Sequence, residues 1–474
     1  MVDQRVVWIA LVGLTLLAAA VRLPFLGHQS LWLDEIITRD IIREPSLTGV
    51  WNHVRATEST PPLFYVLEWL AGARSPVAMR LIPASALIAA VPVAYLAFRR
   101  LIGEWAAVAA AAVVAVTPAL VEYSLDARAY GLLVLTGLLS VWGFGCLLER
   151  PSARRYGAWA VASAACVWSH YFGFFLVAGE AIVLFAALPR SRRSTLAWSL
   201  VIAALVAPLL PLVLHQSGDE RAEFITGIPL GTRLTSTVRQ FAMGANIPRT
   251  WLEGAGLALA ISGLAAGVVI AIRSGSRSRW LLALLAIAFA LPFALAVLRI
   301  EDRFYDRNVL FLLPLVAALA APGLMRLRGV PLAAYLALAV VTSVWVATNW
   351  RYEQADWRTA VERMKAVDRS AAAVVVPRSQ LSLVVASSYL GGPAKVTTTV
   401  ARRAWIVVEP YRAAHRRALG PAPLPSTIDA VTAGFRTMRT IFVHGFRLVL
   451  VTAIRPTPIN PARARGTAVF GPPL

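Results

Sequence analysis

The sequence predicts an α-helical polytopic membrane protein of about eleven transmembrane helices, followed by a small C-terminal α/β domain. Three observations carry that expectation. Of the 474 residues, 58% are hydrophobic and 15% are charged, and the mean hydropathy is +0.66. Soluble domains are about 45–50% apolar and about 25% charged. Apolar runs of spanning length, about 18 residues or more, recur as far as residue 348. Beyond that point the chain changes to short strand-like runs separated by polar and proline-rich stretches.

The first segment, VVWIALVGLTLLAAAVRLPFL, is too long for the core of a signal peptide, and no A-x-A-like cleavage site follows it. It therefore reads as a retained span near 6–26. Further spans are expected near 77–98, 105–123, 129–148, 155–170, 171–189, 195–214, 252–272, 280–298, 308–325 and 330–348. Between the first two, Leu33, Ile37 and Ile41 recur every four residues with Ile36 beside them, so 32–44 reads as an amphipathic helix lying on the membrane. PPLFYVLEWLAGA, residues 61–73, is apolar but too short to cross, and reads as a second interfacial helix. The expected domains are thus 1–348, with interfacial helices within 27–75, and 349–474. The second domain opens with the helical ADWRTAVERMKAVDR and continues with the strand-like AAAVVVP, AWIVVEP and RLVLVTA, while GGP (391–393) reads as a turn.

The loops set the orientation. FRRLIGE, ERPSARR, PRSRRS, RSGSRSR and MRLRG, with the N-terminus, hold fourteen basic residues against three acidic ones. That is the pattern of cytoplasmic loops, with the N-terminus inside. The alternate loops WLDEIITRDIIRE, EYSLDAR, HQSGDERAE and RIEDRFYDR are about as acidic as basic, so they face outward, and the 349–474 domain with them. Were 61–73 a span, every later arginine loop would fall on the wrong side. The net charge of +21 would point to nucleic acid in a soluble protein. Here much of the excess is arginine in short loops between spans, so the expected environment is a bilayer and no nucleic-acid partner is expected. The outer domain is also basic, which fits an anionic lipid or polymer as well as a plainly solvated surface.

The sequence contains no internal repeat, Walker loop, HExxH or Cys/His cluster. Cys146 and Cys166 sit in apolar runs and read as small buried thiols. No cofactor or metal site is expected; a divalent ion at Asp34 and Glu35 is compatible with the sequence but not indicated by it. Those two carboxylates stand at the N-terminal end of the first interfacial helix, where the helix dipole favours their ionised forms. Asp34 reads equally well as an N-cap. VEYSLDARAYGLL puts Asp126 and Arg128 at the outer end of the third span, where charge is costly and usually functional or paired. EDRFYDRNVLFLLP supplies Arg303 and Arg307 where the ninth span gives way to the tenth, and a guanidinium fork suits a phosphate at headgroup depth. SHYFG adds His170 and Tyr171 at another outer helix end, where a lone histidine also serves as a simple hydrogen-bonder. The outward face thus gathers carboxylates and arginines from distant loops, while the inward face carries only topological charge. A site there is out of reach of cytosolic nucleotide sugars, but a sugar flipped across on a polyprenyl phosphate can enter it.

The stretch SLWLDEIITRDII…TESTPPLFYVLEWL…MRLIPASALIAAVPVAYLAFRRLIG, followed by VTPALVEYSLDARAYGLLVLTGLLS, resembles the bacterial glycosyltransferase family 39 type of GT-C enzymes. These are relatives of the protein O-mannosyltransferases and the lipid A aminoarabinose transferases. The resemblance covers residues 25–145 well and is looser afterwards. It rests on the acidic pair Asp34–Glu35, the Pro61–Pro62–Leu63 helix start, Arg80 opening the second span, and Asp126-Ala127-Arg128-Ala129-Tyr130 at the third–fourth junction. The family often carries His or Asp before the proline pair; this chain has Glu58-Ser59-Thr60, so Glu58 or His53 takes that role or the role is dispensable.

The resemblance implies a GT-C fold and a polyprenyl-phosphate-linked monosaccharide as donor. It also implies a lipid, glycan or protein acceptor and inversion at the anomeric carbon, in a bacterial cell membrane. Asp34 then serves as general base, with Glu35 or Asp126 orienting the acceptor or stabilising oxocarbenium-like charge. Arg128 and Arg307, with Arg303 or Arg80 behind, clamp the departing phosphate. Tyr130, His170, Tyr171, Glu58 and His53 complete the substrate-binding set. A transporter or flippase of a lipid-linked sugar is the alternative; its mark would be broken spans in matching halves, and Pro208, Pro211 and Pro292 show no such pairing. A membrane anchor displaying the basic domain would leave the acidic constellation idle.

Overall fold

The computed structural model describes residues 3–217, 223–244, 247, 250–274, 277–352, 354–411, 418–421, 423–425, 428–464 and 466–471. The chain divides into two compact units. The first comprises Met1–Leu26, Thr38–Ala245 and Arg249–Val344, and the second Gly27–Ile37, Asn246–Pro248 and Trp345–Leu474.

The first unit is a helical bundle. Its first helix, α1 (Gln4–Ala20), is capped by the Asp3 carboxylate, which accepts from the Arg5 N–H. Three short helices follow in the stretch read as interfacial: α2 (Leu33–Ile41), α3 (Leu47–Thr57) and α4 (Leu63–Leu70). α5 (Pro76–Ile102) has 27 residues, a length of about 40 Å. Ser75 caps it by accepting from Ala78 N–H, Pro76 occupies a position where no donor is missed, and Gly103 ends it at φ +87. The third expected span is divided into α6 (Glu104–Val116) and α7 (Pro118–Glu122), because Pro118 has no N–H to give the ladder. α8 (Tyr130–Glu149), α9 (Ala153–Ser169) and α10 (Gly173–Ala187) come next. The 195–214 span breaks at its prolines, 208 and 211, into α11 (Arg192–Val206) and α12 (Leu210–Ser217). After the short α13 (Glu223–Thr226) comes α14 (Leu230–Met243), an amphipathic helix with no counterpart in the sequence reading. The bundle closes with α15 (Trp251–Arg273), α16 (Ser278–Val297), α17 (Leu313–Leu324) and α18 (Val330–Thr348).

Among the described residues, seven helical stretches are long and apolar enough to cross a membrane, and Glu104–Val116, Gly173–Ala187 and Leu310–Leu324 are shorter apolar helices. Together with α9 they occupy the eleven expected positions. Where α15 crosses α17, the sequence Gly263-Leu264-Ala265-Ala266-Gly267 removes side chains from the contact. A Cβ on Gly267 would run into the Leu319 backbone oxygen, and one on Gly323 into that of Gly263. This is the small-xxx-small solution to packing helices where no water is expelled. Several buried polar groups are matched across helices. The Arg22 guanidinium donates to the Ala18 and Ala115 carbonyls, and Glu180 on α10 accepts from Ser140 on α8 and Trp159 on α9.

The second unit is built on a five-stranded sheet of order β3-β4-β2-β1-β5. Its strands are β1 (Ala372–Val376), β2 (Thr399–Val408), β3 (Arg436–Val443), β4 (Phe446–Ile459) and β5 (Ala468–Phe470). Strands β1 and β2 pair in parallel, and every other pairing is antiparallel. The helices are α19 (Trp357–Val367), α20 (Gln380–Leu390) and the short α21 (Ile428–Val431). Strand alternation sorts β2 onto two cores. Trp405 and Val407 join Trp357, Met364 and Phe446 on one face, while Ile406 and Val408 join Ile428 and Val431 on the other.

The first of these cores also takes in Leu31 and Ile36, from the segment preceding and opening α2. That segment is gripped through its backbone. Leu31 N–H donates to the Tyr389 hydroxyl at 2.6 Å, and the Arg358 guanidinium donates to the Gly27 and His28 carbonyls. Asp356 caps α19 and accepts from Ser30 Oγ at 2.6 Å and from Thr359 N–H, while pairing with His444 Nδ1 at 2.6 Å. Burial pushes this carboxyl up, but the hydrogen bonds from Ser30, Thr359 and His444 outweigh it and hold it below the ordinary carboxylate value.

Two outcomes follow. Gly267→Ala forces α15 off the Leu319 carbonyl, so the detergent-solubilised chain should lose about 1–3 kcal/mol of stability. Gly254→Ala, on the same helix with open space around it, should be neutral or gain about 0.5–1 kcal/mol; thermal melts of both variants separate crowding from helix propensity. Asp356→Ala should weaken the second unit by about 1–3 kcal/mol, read as faster hydrogen exchange in α19 and β1. Because the native carboxyl is held low, its contribution is present at neutral pH and is lost in the wild type only as pH falls through that lowered value.

Candidate functional site

The junction between α7 and α8 is a tight turn in which Arg128 N–H returns to the Asp126 carbonyl at 2.7 Å. It carries Arg128 inward, where the side chain is 8% exposed and Glu58 4%. The guanidinium fork meets both Glu58 oxygens, Nη1 at 2.6 Å and Nη2 at 2.7 Å, and also donates to Thr38 Oγ at 3.4 Å. The Tyr65 ring lies 5.8 Å beneath it. Glu58 is held in place because it ends α3 just ahead of the Pro61–Pro62 start of α4. A buried charge pair of this geometry is costly to form and costlier to break. Asp126 stands half-buried in the same turn.

Around this pair the bundle gathers other junctions. Tyr130, in the first turn of α8, packs against Tyr123 at 4.9 Å and against His170 at 5.7 Å between ring centroids. His170 caps α9, and Phe172 N–H donates to its Nδ1 at 3.2 Å, so the proton of the neutral ring sits on Nε2. The charges of both Arg128 and Arg307 bear on this ring. Arg307 reaches in from the α16–α17 junction, its guanidinium over Phe224 at 5.6 Å and Tyr305 at 5.7 Å. Arg303 pairs with Glu301 at 2.5 Å and donates to the Gln216 carbonyl at 3.4 Å. The Gln216 amide in turn accepts from the Tyr171 hydroxyl at 2.7 Å and donates to the Val54 carbonyl.

The same junction is stiffened by Arg233 of α14, which forks onto Asp302 at 2.6 and 2.8 Å. Asp306 accepts from Ser236 Oγ and from Arg307 N–H; burial pushes its carboxyl up against the pull of those bonds and of the Arg307 charge. Arg80, in the opening turns of α5, is fully buried and donates to the Leu26 carbonyl at 2.8 Å. His53 pairs with Glu44 at 2.9 Å, on the half-exposed side of α3.

Asp34 and Glu35 belong to the second unit. α2 begins at Leu33, so Asp34 is already inside the helix and the N-cap reading of it gives way. Glu35 does the capping: it is buried, and its Oε2 accepts from the Trp32 N–H at 3.4 Å, the return arm of a capping box. Asp34 is left half-exposed in the first turn. Among the described residues, no group of three or more His, Cys, Asp or Glu is placed to hold a metal ion.

Within the first unit the structure therefore brings together Glu58, Arg128, Tyr130, His170 and Arg307, with Arg303 and Tyr171 joined through Gln216. Thr38, Tyr65, Tyr123, Gln216, Arg233, Asp302 and Asp306 were not singled out by sequence reasoning. Each is a lone residue of an ordinary type, and only proximity marks it.

No family model matches the sequence, and no curated protein matches it significantly. Solved structures do match. ArnT from Cupriavidus metallidurans bound to undecaprenyl phosphate is similar at a TM-score of 0.56 and 13% identity, over 94% of this chain and 98% of that one. The same protein in the apo state gives 0.55 and 13%, over 98% and 99%. The archaeal oligosaccharyltransferase AglB from Archaeoglobus fulgidus, in complex with an inhibitory peptide and a dolichol-phosphate, gives 0.45 and 13% over 76% of this chain. The chain spans only 58% of that longer protein, so the comparison of folds rests on the two ArnT structures. Coverage of nearly the whole of both chains shows that this multi-pass helical membrane protein, with its small C-terminal sheet unit, has the GT-C fold found in ArnT.

Proposed function

We propose that the chain is a glycosyltransferase. In this reading it moves a monosaccharide from a polyprenyl-phosphate-linked donor to an acceptor hydroxyl, inverting the anomeric carbon, at the outer face of a bacterial cell membrane. The N-terminus is then cytoplasmic, 1–348 is the membrane domain, and 349–474 lies outside. The observation that carries the reading is the gathering of the Arg128–Glu58 pair, Tyr130 and His170 from separate junctions, with Arg307 over Phe224 and Tyr305, in a fold that in ArnT is seen with undecaprenyl phosphate bound. Arginines gathered at the ends of membrane helices suit the phosphate of a lipid headgroup.

The chemistry needs three things of the protein. The acceptor hydroxyl must surrender its proton as its oxygen bonds to the anomeric carbon, and Asp34, a half-exposed carboxylate, is assigned as general base. Glu35, engaged in capping, positions α2; Asp126 orients the acceptor or offsets positive charge at the sugar. As the anomeric C–O bond breaks, its electron pair passes to the phosphate oxygen. That anion needs cations rather than an acid, and Arg307 with Arg303 supplies them. Arg128 already gives its fork to Glu58 and acts as a fixed cation behind them, with Arg80. Tyr130, His170 and Tyr171 line the sugar side, and His53, paired with Glu44, stands furthest from this role.

The test is release of polyprenyl phosphate by the purified chain in nanodiscs, given a panel of polyprenyl-phosphate sugars with and without membrane-extract acceptor. Asp34→Asn and Arg307→Gln should each cut turnover by about 10² or more while the protein stays folded. Turnover unchanged in Asp34→Asn would move the base to Asp126. Donor binding without turnover under any acceptor would mark a transporter of lipid-linked sugar instead. Glu58→Leu and Arg128→Met should each cost about 3–5 kcal/mol by stranding a buried charge, and the double substitution should recover most of that. Activity should stay lost in the double variant, which separates the pair's part in the site from its part in stability.

A further inference from the structure

A second set of arginines lies at the far end of the bundle from this site, and the proposed reaction does not use it. Arg99 is nineteen residues beyond Arg80 on α5, about 28 Å along the helix axis, the thickness of a bilayer's hydrocarbon core. There the end of α5, the close of α15, the start of α16 and the flank of α17 enclose a cavity of ≈ 510 Å³. Its polar lining is Arg99, Arg100 and Arg277 with Ser274 and Ser278, and no carboxylate is among the lining residues. The remaining walls are apolar, chiefly Ile270, Leu319 and Pro322.

Three guanidinium groups line this cavity, and the carboxylates near them, Glu149 and Glu104, balance their charge only in part. Arg100 gives its Nε to Glu149 at 3.0 Å, yet its Nη1 is buried with no hydrogen-bond partner among the described residues. Glu149 is already shared with Arg155 at 3.7 Å and lies in the field of Arg277 as well. Arg99 lies over the Tyr95 ring at 5.6 Å, and the Tyr95 hydroxyl donates to the Glu104 carboxylate, which is engaged there and is not among the residues lining the cavity. The 20-residue α16 begins at Ser278, so the positive end of its dipole faces the same space. A buried guanidinium N–H without an acceptor is costly, and an anionic oxygen in the cavity would relieve it.

We propose that this cavity is a binding site for the phosphate headgroup of an anionic glycerophospholipid in the leaflet opposite the candidate active site. Arg99, Arg100 and Arg277 hold the phosphate oxygens, the Ser274 and Ser278 hydroxyls flank it, and the acyl chains leave along the apolar wall of Ile270 and Leu319. Basic pockets between transmembrane helices are suited to such lipids because low dielectric strengthens the ion pair while the chains remain in hydrocarbon. Inorganic phosphate shares the headgroup chemistry but would gain nothing from the apolar wall.

The full chain, delipidated in neutral detergent, is titrated with phosphatidylglycerol, phosphatidylcholine or inorganic phosphate, and followed by native mass spectrometry and thermal melting. Phosphatidylglycerol should stay bound under activation that strips phosphatidylcholine, and should raise the melting temperature where inorganic phosphate does not. Arg99→Gln with Arg277→Gln, which leaves the Arg100–Glu149 pair intact, should weaken phosphatidylglycerol retention roughly tenfold or more. Arg277→Gln alone, at an exposed position, keeps the test decisive if the double variant misfolds, and should weaken retention severalfold. Arg190→Gln with Arg193→Gln removes the same charge from exposed positions at and just before the start of α11 and should leave retention unchanged. Equal retention of both lipids, equal protection by inorganic phosphate, or equal loss in the Arg190/Arg193 control would overturn the proposal.

Discussion

A guanidinium removed from water must give its N–H groups to acceptors, and the organisation of the membrane unit follows from how that demand is met. Arg128 meets it with a two-pronged bond to Glu58, tying the α7–α8 junction to the end of α3. Arg233 meets it on Asp302 and the Phe304 carbonyl, tying α14 to the α16–α17 junction. Arg80 meets it on the Leu26 carbonyl, and Arg22 only in part, through Nη1 to the Ala18 and Ala115 carbonyls, its Nε and Nη2 finding no partner among the described residues. Each bond joins segments that the apolar effect alone would not register, because in hydrocarbon one apolar contact is nearly as good as another. The result is a set of fixed junctions at the ends of the helices.

The helices themselves are shaped by residues that withhold something. Pro118 and the Pro208/Pro211 pair withhold donors and divide two spans into shorter helices. Gly263, Gly267 and Gly323 withhold side chains and let α15 and α17 approach to backbone contact. The second unit follows soluble rules instead. Its sheet sorts alternate residues of β2 onto two cores, and its polar links are capping bonds such as those of Asp356.

Reading from sequence succeeded where the signal is local. The spans are visible because a run of apolar residues needs no partner to be recognised, and α4 is recognisably too short to cross. β1, β2 and β4 are visible because each contains an unbroken apolar run, at 372–376, 404–408 and 448–451. β3 is hidden because Arg436–Val443 is an edge strand, exposed along most of its length, with arginine and threonine where an inner strand would be apolar. α14 is hidden because its buried face is made of Arg233, Thr237 and Gln240 beside Ala242 and Met243, a pattern that hydrophobic periodicity does not register. The acidic pair was legible as two carboxylates at the start of a helix, but not which of them caps it, since capping by Glu35 depends on where α2 begins.

What the sequence determined by itself is the membrane class, the order of the apolar helices, and the junctions at which charge accumulates. These follow from composition and from helix-breaking residues, which act within a few positions of themselves. Only the tertiary structure decided which charges meet. Glu58 and Arg128 are 70 residues apart, Arg233 and Asp302 are 69 apart, and neither pairing leaves any periodicity in the chain. The placing of Leu31 and Ile36 in the core of the C-terminal unit is of the same kind. Such contacts are set by how distant helices and strands close on one another, and that closure is a property of the packed whole rather than of any window of residues.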